Sequence, residues 1–166
     1  MNNIFFTADT HFDHDNIIKY CKRSFNNVKE MNDKYIEEWN KIVKTNDYVY
    51  HLGDFAFKNH DLFFKRLNGK KHLIIGNHDK RECFNLKWEW FKQCFDLRIG
   101  NDSVWLSHYS HRSWNKSCHG SYHFFGHTHG NLSDYGRSTD VGVDVWGRPV
   151  SFEELRGKLS NKDKVI

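Results

Sequence analysis

Proline and long apolar segments are scarce in this sequence. The chain has 166 residues with a single proline, Pro149, and no low-complexity stretch. Mean hydropathy is −0.80, and no apolar run approaches the ~18 residues that a membrane-spanning helix requires, which excludes that class of protein. The first residues, MNNIFFTAD, have neither the basic start nor the small-residue cleavage site of a secretion signal. We therefore expect a cytoplasmic protein with no membrane partner.

Cysteine pairs and blocks of like charge are also missing. The four cysteines stand at positions 21, 83, 94 and 118, without the C-x-x-C spacing of a zinc ribbon or a redox motif. Lys and Arg number 25 against 21 Asp and Glu, a net charge of +4, and no five like charges follow one another. This balance is compatible with a polyanionic substrate, but it does not form the basic arm of a nucleic-acid-binding tail.

The sequence is rich in aromatic and histidine side chains. Phe, Tyr and Trp make up 16% of the chain, which is enough ring surface to build a core and argues against disorder. There are 12 histidines, more than stability requires, so their positions call for an explanation. The length suits a single domain over residues 1–166.

Short apolar segments bounded by turn-forming residues predict strands at 4–8, 48–52, 72–76, 103–106, 122–125 and 141–145. Apolar residues at three- and four-residue spacing predict helices at about 16–21, 32–44 and 60–67. Ser151 followed by Glu154 is a capping-box signature and predicts a helix at 152–159. Residues 87–93 are either a helical turn or an insertion. Alternating strands and helices indicate a layered α/β fold.

Metal-ligand residue types follow nearly every predicted strand, where loops of an α/β sheet converge. They are Asp9, His11, Asp54, Asn77, His108, His127 and His129. On an extended strand, i, i+2 spacing would direct both members of the pairs Asp9/His11 and His127/His129 to one side. Carboxylate, imidazole and amide oxygen suit a borderline divalent ion. Seven ligands are too many for one tetrahedral ion, so we expect two metals ~3.5–4 Å apart. His78 would then be free to act as an acid or to stabilise negative charge.

These blocks resemble the calcineurin-like metallophosphoesterases. Five blocks occur in the family's order: D-x-H at 9–11, G-D at 53–54, G-N-H-D at 76–79, His108 after a strand, and G-H-T-H at 126–129. The segments TADTHFDHDNIIKYCKRSF and DVGVDVWGRPVSFEEL are similar to the small, uncapped bacterial and phage members. The resemblance implies a two-sheet β-sandwich flanked by helices, with the site on loops at one edge. It also implies a cytoplasmic setting in a bacterium or an infected host cell.

The resemblance implies a role for each of these residues. The first metal would be held by Asp9, His11, Asp54 and His129, and the second by Asp54, Asn77, His108 and His127, so that Asp54 bridges the two. His78 matches the family's phosphate-contacting residue, which protonates the leaving group, and Asp79 matches a residue expected to orient His78. The cofactors implied are two divalent ions, manganese first, with iron, zinc or nickel as alternatives.

Three further residues are candidate substrate contacts. His14 lies five residues after Asp9 and is expected at the rim of the site. Arg112 has the forked donors that suit phosphate, and Trp114 could stack on a base. The alternative is that residues 111–115 form an ordinary surface loop that does not contact the substrate.

The sequence therefore predicts a phosphoesterase in which a metal-bridging hydroxide attacks phosphorus. A chain of this length leaves no room for a cap domain, and an open site favours a phosphodiester such as a cyclic nucleotide, a dinucleotide or an aryl diester. A phosphomonoesterase, or a phosphoprotein phosphatase, is the alternative within the enzymes. A catalytically silent binding module of the same fold and a nuclease subunit also stay open. The partner expected is a small phosphoester or nucleotide, with nucleic acid not required, and the oligomeric state is left open.

Overall fold

Nine short strands supply two β-sheets in the computed structural model, which describes residues 2–165. In chain order they are β1 (Ile4–Thr7), β2 (Tyr48–His51), β3 (Lys70–Ile74), β4 (Phe91–Lys92), β5 (Cys94–Ile99), β6 (Asp102–Ser107), β7 (Tyr122–Phe125), β8 (Ser138–Asp140) and β9 (Val150–Ser151). The first sheet has the order β4-β3-β2-β1-β9, and the second has the order β5-β6-β7-β8. Both sheets are mixed, because β9 and β5 run antiparallel to their neighbours while the remaining pairs are parallel.

Six α-helices accompany the sheets in the described part of the chain. They are α1 (Asp15–Tyr20), α2 (Val28–Ile42), α3 (His60–Arg66), α4 (Arg81–Phe84), α5 (Val143–Trp146) and α6 (Phe152–Leu159), and Ser117–His119 forms a turn of 3₁₀ helix. The helix predicted at 32–44 begins earlier, since the Asn27 side chain caps α2 by accepting from the Glu30 amide. The predicted capping box of α6 is present: Ser151 and Glu154 each accept from the other's backbone amide.

Alternation along the first sheet divides its side chains between two cores. Phe5 packs with α2 and α3 on one face, in a cluster that includes Met31 and Trp39. The next residue, Phe6, packs on the other face against β6 and β7, with its ring 4.8 Å from that of Phe124. Residues in a strand point alternately to opposite faces, so the first sheet is covered by helices on one side and by the second sheet on the other. This confirms the predicted two-sheet α/β sandwich flanked by helices.

Two local predictions were wrong. Residues 141–145 were predicted as a strand, but α5 begins at Val143, because the Asp140 carboxylate accepts from the Gly142 amide and turns the chain. Residues 87–93 were predicted as a helical turn or an insertion, and they instead run into the edge strand β4 beside β3. Within residues 2–165, no helix combines the length and the apolar character needed to cross a membrane.

Candidate metal centre

The seven predicted ligands follow the ends of β1, β2, β3, β6 and β7, and most of them have an unusual backbone. Asp9, His11, Asp54, His127 and His129 all have φ between 45° and 66°. This left-handed region is uncommon for residues with a β-carbon, although Asp and His tolerate it better than most. The i, i+2 pairs were predicted to project together from extended strands, and that reason is wrong. Their side chains converge from left-handed loops just beyond the strands.

Asp9, His11 and His129 form the first cluster. Each offers one ligand atom, and the three atoms lie within 4.8 Å of one another. Asp9 and His11 are buried, yet Asp9 Oδ1 and His11 Nε2 have no hydrogen-bond partner. Buried polar atoms are nearly always paired. An unpaired carboxylate oxygen and an unpaired ring nitrogen in one buried cluster fit a metal cation that both would bind.

Asp54, His108 and His127 form the second cluster, and their ligand atoms also lie within 4.8 Å of one another. His108 Nδ1 is 2.7 Å from the Leu52 carbonyl oxygen, so Nδ1 donates and Nε2 carries the lone pair. That Nε2 is 2.9 Å from Asn77 Oδ1 and 3.6 Å from Asp54 Oδ2. Acceptor atoms that face one another repel unless a cation lies among them, so this cluster also fits a metal.

Asp54 connects the two clusters. Its Oδ2 lies 3.5 Å from His11 Nε2 and 3.6 Å from His108 Nε2. Its Oδ1 accepts from the backbone amide of His78 at 2.8 Å, which holds the carboxylate in this orientation. One buried oxygen therefore faces ring nitrogens of both clusters, which is the position that a ligand shared by two metals would need.

Burial and neighbouring charges shift the acidities of the cluster in directions that suit a cation. Burial, with the nearby Asp54 carboxylate, raises the pKa of Asp9 well above its ordinary value, and burial raises the pKa of Asp54. Burial, with the positive charge of Arg23, lowers the pKa of His11, so this ring is neutral as a metal ligand must be. A divalent cation would compensate the crowded carboxylates, and the mixture of carboxylate, imidazole and amide oxygen suits a borderline ion.

His78 stands at the mouth of the site and its side chain is exposed. Its ring lies 5.5 Å from the ring of His11, centroid to centroid. Because His78 contacts Asp54 through its backbone amide, its imidazole is free to face a substrate. Its role in contacting the phosphate and protonating the leaving group stays a prediction.

Asp79 has different partners from those expected. It was predicted to orient His78, but its Oδ2 accepts from the amides of Asp54 and Gly76, at 3.0 and 2.8 Å. Its Oδ1 accepts from the amide of Phe55 at 3.0 Å. The buried carboxylate therefore accepts from two amides of the loop that carries Asp54 and from one amide of its own loop, so it fixes these two loops against each other and does not orient the His78 ring.

Two glycines in the sequence blocks allow the loops to approach one another. A β-carbon on Gly126 would lie 2.5 Å from Ala8 Cβ and 2.6 Å from Asp9 Oδ2. A β-carbon on Gly53 would lie 2.6 Å from His108 Nδ1, and Gly53 also has a φ of +95°. Any larger residue at either position would displace a predicted ligand.

Arg23 and Asp144 were not among the predicted site residues, although both are part of the site. Asp144 Oδ2 lies 2.7 Å from His129 Nδ1, so this nitrogen carries the proton and Nε2 is left for a metal. Arg23 Nε and Nη2 each donate to the Asp144 carboxylate at 2.7 Å, and Nη2 also donates to the Asp9 carbonyl oxygen at 2.7 Å. Cys21, His129 and Asp144 form a third group of close ligand atoms, but the Asp144 carboxylate is already used by Arg23 and His129.

Asp140 is a further residue that the sequence interpretation missed. Its Oδ2 accepts from the Thr128 hydroxyl at 2.7 Å and from the Gly130 amide at 3.0 Å. Its Oδ1 accepts from the Gly142 amide at 2.7 Å. The carboxylate therefore ties the loop of His127 and His129 to the start of α5. Asp140 is the last residue of the short strand β8, whose Ser-Thr-Asp sequence has no apolar pattern that would have drawn attention to it.

The predicted substrate contacts have different surroundings. His14 lies at the rim as expected: its ring stacks on Phe57 at 4.4 Å and meets that of His11 at 5.9 Å. Arg112 is exposed on the loop after His108, and its contact with a substrate stays a prediction. Trp114 was predicted to stack on a base, but it is buried and its Nε1 donates to the Ser121 hydroxyl at 3.0 Å.

Comparison with known proteins supplies the family context. The model of the calcineurin-like phosphoesterase superfamily domain matches residues 3–141. The uncharacterised protein MJ1445 of Methanocaldococcus jannaschii is 36% identical over 179 residues, covering 100% of this chain and 96% of its own. The structure of the protein AQ665 of unknown function from Aquifex aeolicus has a TM-score of 0.78 at 23% identity, covering 95% of this chain and 100% of its own. That of a novel archaeal phosphodiesterase has a TM-score of 0.52 at 21% identity, covering 84% and 82%.

Proposed function

This chain belongs to the calcineurin-like phosphoesterase superfamily, and we propose that it is a phosphodiesterase whose site holds two divalent cations. Membership in this superfamily supports the hydrolysis of phosphoric esters as the activity of this chain. The single observation that carries the two-cation proposal is the position of Asp54 Oδ2, within 3.6 Å of ring nitrogens from two separate clusters. The unpaired Asp9 Oδ1 and His11 Nε2 support it independently.

The residues of each cluster would hold one cation. Asp9, His11 and His129 would hold the first, and Asn77, His108 and His127 the second, with Asp54 shared. Bound divalent cations in such a site supply Lewis-acid polarisation of the phosphoryl oxygens and a nucleophile from water at neutral pH. Manganese is the preferred ion, with iron, zinc or nickel as alternatives, because the donors mix nitrogen with oxygen.

The remaining chemistry falls to residues of the chain. The exposed imidazole of His78 donates a proton to the leaving oxygen as its bond to phosphorus breaks. Asp79 holds the Asp54 loop through the amides of Asp54 and Phe55, so that the Asp54 carboxylate does not reorganise during the reaction. Asp144 holds the His129 ring in the tautomer that leaves Nε2 free.

A diester is favoured over a monoester by the shape of the surroundings. A cavity of about 340 Å³ adjoins His78, and another of about 610 Å³ adjoins His129 and Asp144. Asn77, His78 and His127 are themselves exposed. A phosphodiester carries an organic group on two of its oxygens and needs space on both sides, which an open site with adjoining cavities supplies.

The test is metal-dependent hydrolysis by chelator-stripped protein. We expect added Mn²⁺ to restore hydrolysis of bis(p-nitrophenyl) phosphate, with a higher kcat/KM than for p-nitrophenyl phosphate. The Asp54→Asn variant should stay inactive, and the Asp102→Asn variant, which removes a distant ion pair with Arg156, should match the wild type. A preference for the monoester would identify a phosphomonoesterase. Absence of hydrolysis with Mn²⁺, Fe²⁺, Zn²⁺ and Ni²⁺ would favour a binding module.

A further inference from the structure

Exposed aromatic rings are concentrated around the candidate metal centre. Five Phe, Tyr or Trp side chains are exposed among residues 2–165: Tyr20, Phe57, Phe91, Tyr109 and Tyr135. Three of these contact histidines in or beside the two clusters, and the other two do not. A single exposed ring needs no explanation, but a group of exposed rings beside a polar site offers apolar surface on which a ligand can bind.

Phe57 and Tyr20 lie on the side of the first cluster. Phe57 is 47% exposed, and its ring is stacked on His14 with an interplanar angle of 17°. Tyr20 is 71% exposed and meets the same His14 ring edge-on at 6.2 Å. Phe57 also lines the cavity that adjoins His78. This ring surface therefore lies next to the residue proposed to protonate the leaving oxygen.

The same cavity is lined by Lys58 and Lys80, with His60 and a single carboxylate, Glu82. Lys58 Nζ lies 5.9 Å from the centroid of the Phe57 ring. Two ammonium groups against one carboxylate give a surface that favours an anionic ligand over a cationic one. A flat ring attached to a phosphate has both features that this cavity would recognise.

Tyr109 lies on the side of the second cluster and is 48% exposed. Its ring is 4.7 Å from the His127 ring and 5.1 Å from the His108 ring, centroid to centroid. The two aromatic surfaces thus stand at the ends of one series of contacts. It runs from Phe57 through His14 and His11 to Asp54, and from there through His108 to Tyr109.

We propose that Phe57 and Tyr109 stack on the two bases of a phosphodiester that joins two nucleosides, with the scissile phosphate at Asp54 between them. This inference rests on the proposed function. A cyclic nucleotide has one base and would leave one ring uncovered, and a monoester lacks the second organic group. Hydrolysis joins the oxygen of one water molecule to phosphorus and breaks one P–O bond. The leaving nucleoside oxygen takes a proton, and the products are a nucleoside monophosphate and a nucleoside.

Dinucleoside monophosphates with one base removed test the proposal. For the Mn²⁺-loaded wild type, kcat/KM should be about tenfold higher for the two-base compound than for either analogue with an abasic sugar on one side. Loss of one stack between a base and an aromatic ring weakens binding by about this factor. Phe57→Leu should lower kcat/KM for the two-base compound about tenfold. It should leave kcat/KM unchanged for the analogue that lacks the base stacked on Phe57. Tyr109→Leu should do the same with the opposite analogue.

Matched controls separate this effect from a general loss of exposed rings. Phe91→Leu and Tyr135→Leu remove rings of 47% and 50% exposure that contact no site histidine, and both variants should match the wild type. Equal kcat/KM for all three compounds in the wild type would overturn the inference. It would also be overturned if Phe57→Leu and Tyr109→Leu both removed the advantage given by one and the same base. If bis(p-nitrophenyl) phosphate is still hydrolysed in that case, the proposed function stands. If it is not hydrolysed with any of the four metals, the proposed function itself fails.

Discussion

His129 Nδ1 and Asp144 Oδ2 lie 2.7 Å apart, and this contact joins the G-H-T-H loop to the helix α5. The same carboxylate accepts two hydrogen bonds from Arg23, whose Nη2 also donates to the carbonyl oxygen of Asp9. Two of the four proposed ligands of the first cation, Asp9 and His129, are therefore positioned by one buried ion pair. Residues behind a metal ligand that fix its tautomer and orientation commonly change metal affinity as much as activity.

Replacement of Asp144 should weaken the first metal position. In Asp144→Asn the carboxylate that holds the His129 ring loses its charge, and we expect Mn²⁺ affinity at one of two positions to fall about 10- to 100-fold. Titration calorimetry on chelator-stripped protein measures this directly. Asp102→Asn, which removes a partly exposed ion pair with Arg156, is the control and should bind as the wild type does. Unchanged affinity at both positions in Asp144→Asn would show that His129 needs no such partner.

A methyl group at position 126 should disturb the site by steric contact alone. In Gly126→Ala the new carbon would lie 2.6 Å from Asp9 Oδ2 and 2.5 Å from Ala8 Cβ. We expect a loss of about 1–3 kcal/mol in the free energy of unfolding, as for other overpacked cores, together with weaker Mn²⁺ binding. Gly157 lies in α6, and a β-carbon added there would meet no atom within 4 Å apart from its chain neighbours and the nearby backbone of the helix. Gly157→Ala should therefore stabilise the protein by about 0.5–1 kcal/mol. The free energies of unfolding are measured with urea, and equal changes in the two variants would contradict a steric role for Gly126.

Loss of the His78 imidazole should slow the reaction without emptying the site. His78 contacts Asp54 through its backbone amide, which His78→Ala retains. For a diester with a poor leaving group, we expect turnover to fall about 100-fold or more, because a positioned acid contributes at least this much. The fall should be smaller for bis(p-nitrophenyl) phosphate, whose leaving group needs little protonation. Metal content should equal that of the wild type. A uniform fall for both leaving groups would remove the proton-donating role.

Stability should decrease on acidification because buried histidines are neutral in the fold. His123 is fully buried in β7, with Nδ1 3.1 Å from the Trp105 carbonyl oxygen and Nε2 accepting from the His111 amide. Burial lowers the pKa of His123 to about 4, whereas an unfolded histidine has a pKa near 6.5. Between these values the unfolded chain binds more protons, so the contribution of His123 is fully present above pH ~6.5. It is lost as the pH falls to about 4, by on the order of 3 kcal/mol.

Nuclear magnetic resonance of the His123 ring nitrogens across pH 4–8 checks this sign. We expect a single neutral tautomer, protonated at Nδ1, down to about pH 5. In His123→Gln the free energy of unfolding should fall less steeply between pH 6.5 and pH 4 than in the wild type. Titration of the His123 ring near pH 6.5 would contradict the burial argument.

Much of the fold is predictable from the sequence because the central strands are apolar and end at turn-forming residues. The predicted segments at 4–8, 48–52, 72–76, 103–106 and 122–125 coincide with β1, β2, β3, β6 and β7 to within two residues at either end. The edge strands β4, β8 and β9 were missed, since two or three residues are too few to show a period. The edge strand β5 has alternating Phe95, Leu97 and Ile99 before Gly100, a signal of a hairpin with β6 that could have been used.

The part of the candidate site that the sequence predicts is the set of ligand-type residues directly after predicted strands. The seven predicted ligands are brought together, with Asp54 between the other six, while their role as ligands stays a prediction. Arg23 and Asp144 were not found in this way, because neither directly follows a predicted strand and their contact exists only in the folded chain. The partners of Asp79 were mistaken for the same reason: three amides from two loops saturate its carboxylate, and their convergence is a tertiary property.

The metal content of the Asp54 variant tests the central proposal most directly. Wild-type protein equilibrated with Mn²⁺ and freed of excess metal should contain two ions per chain by elemental analysis. Asp54→Ala should retain neither ion, because the carboxylate serves both clusters. Circular dichroism should show that the variant is folded. A wild type with one ion, or a folded Asp54→Ala variant with near wild-type content, would contradict a shared carboxylate between two cations.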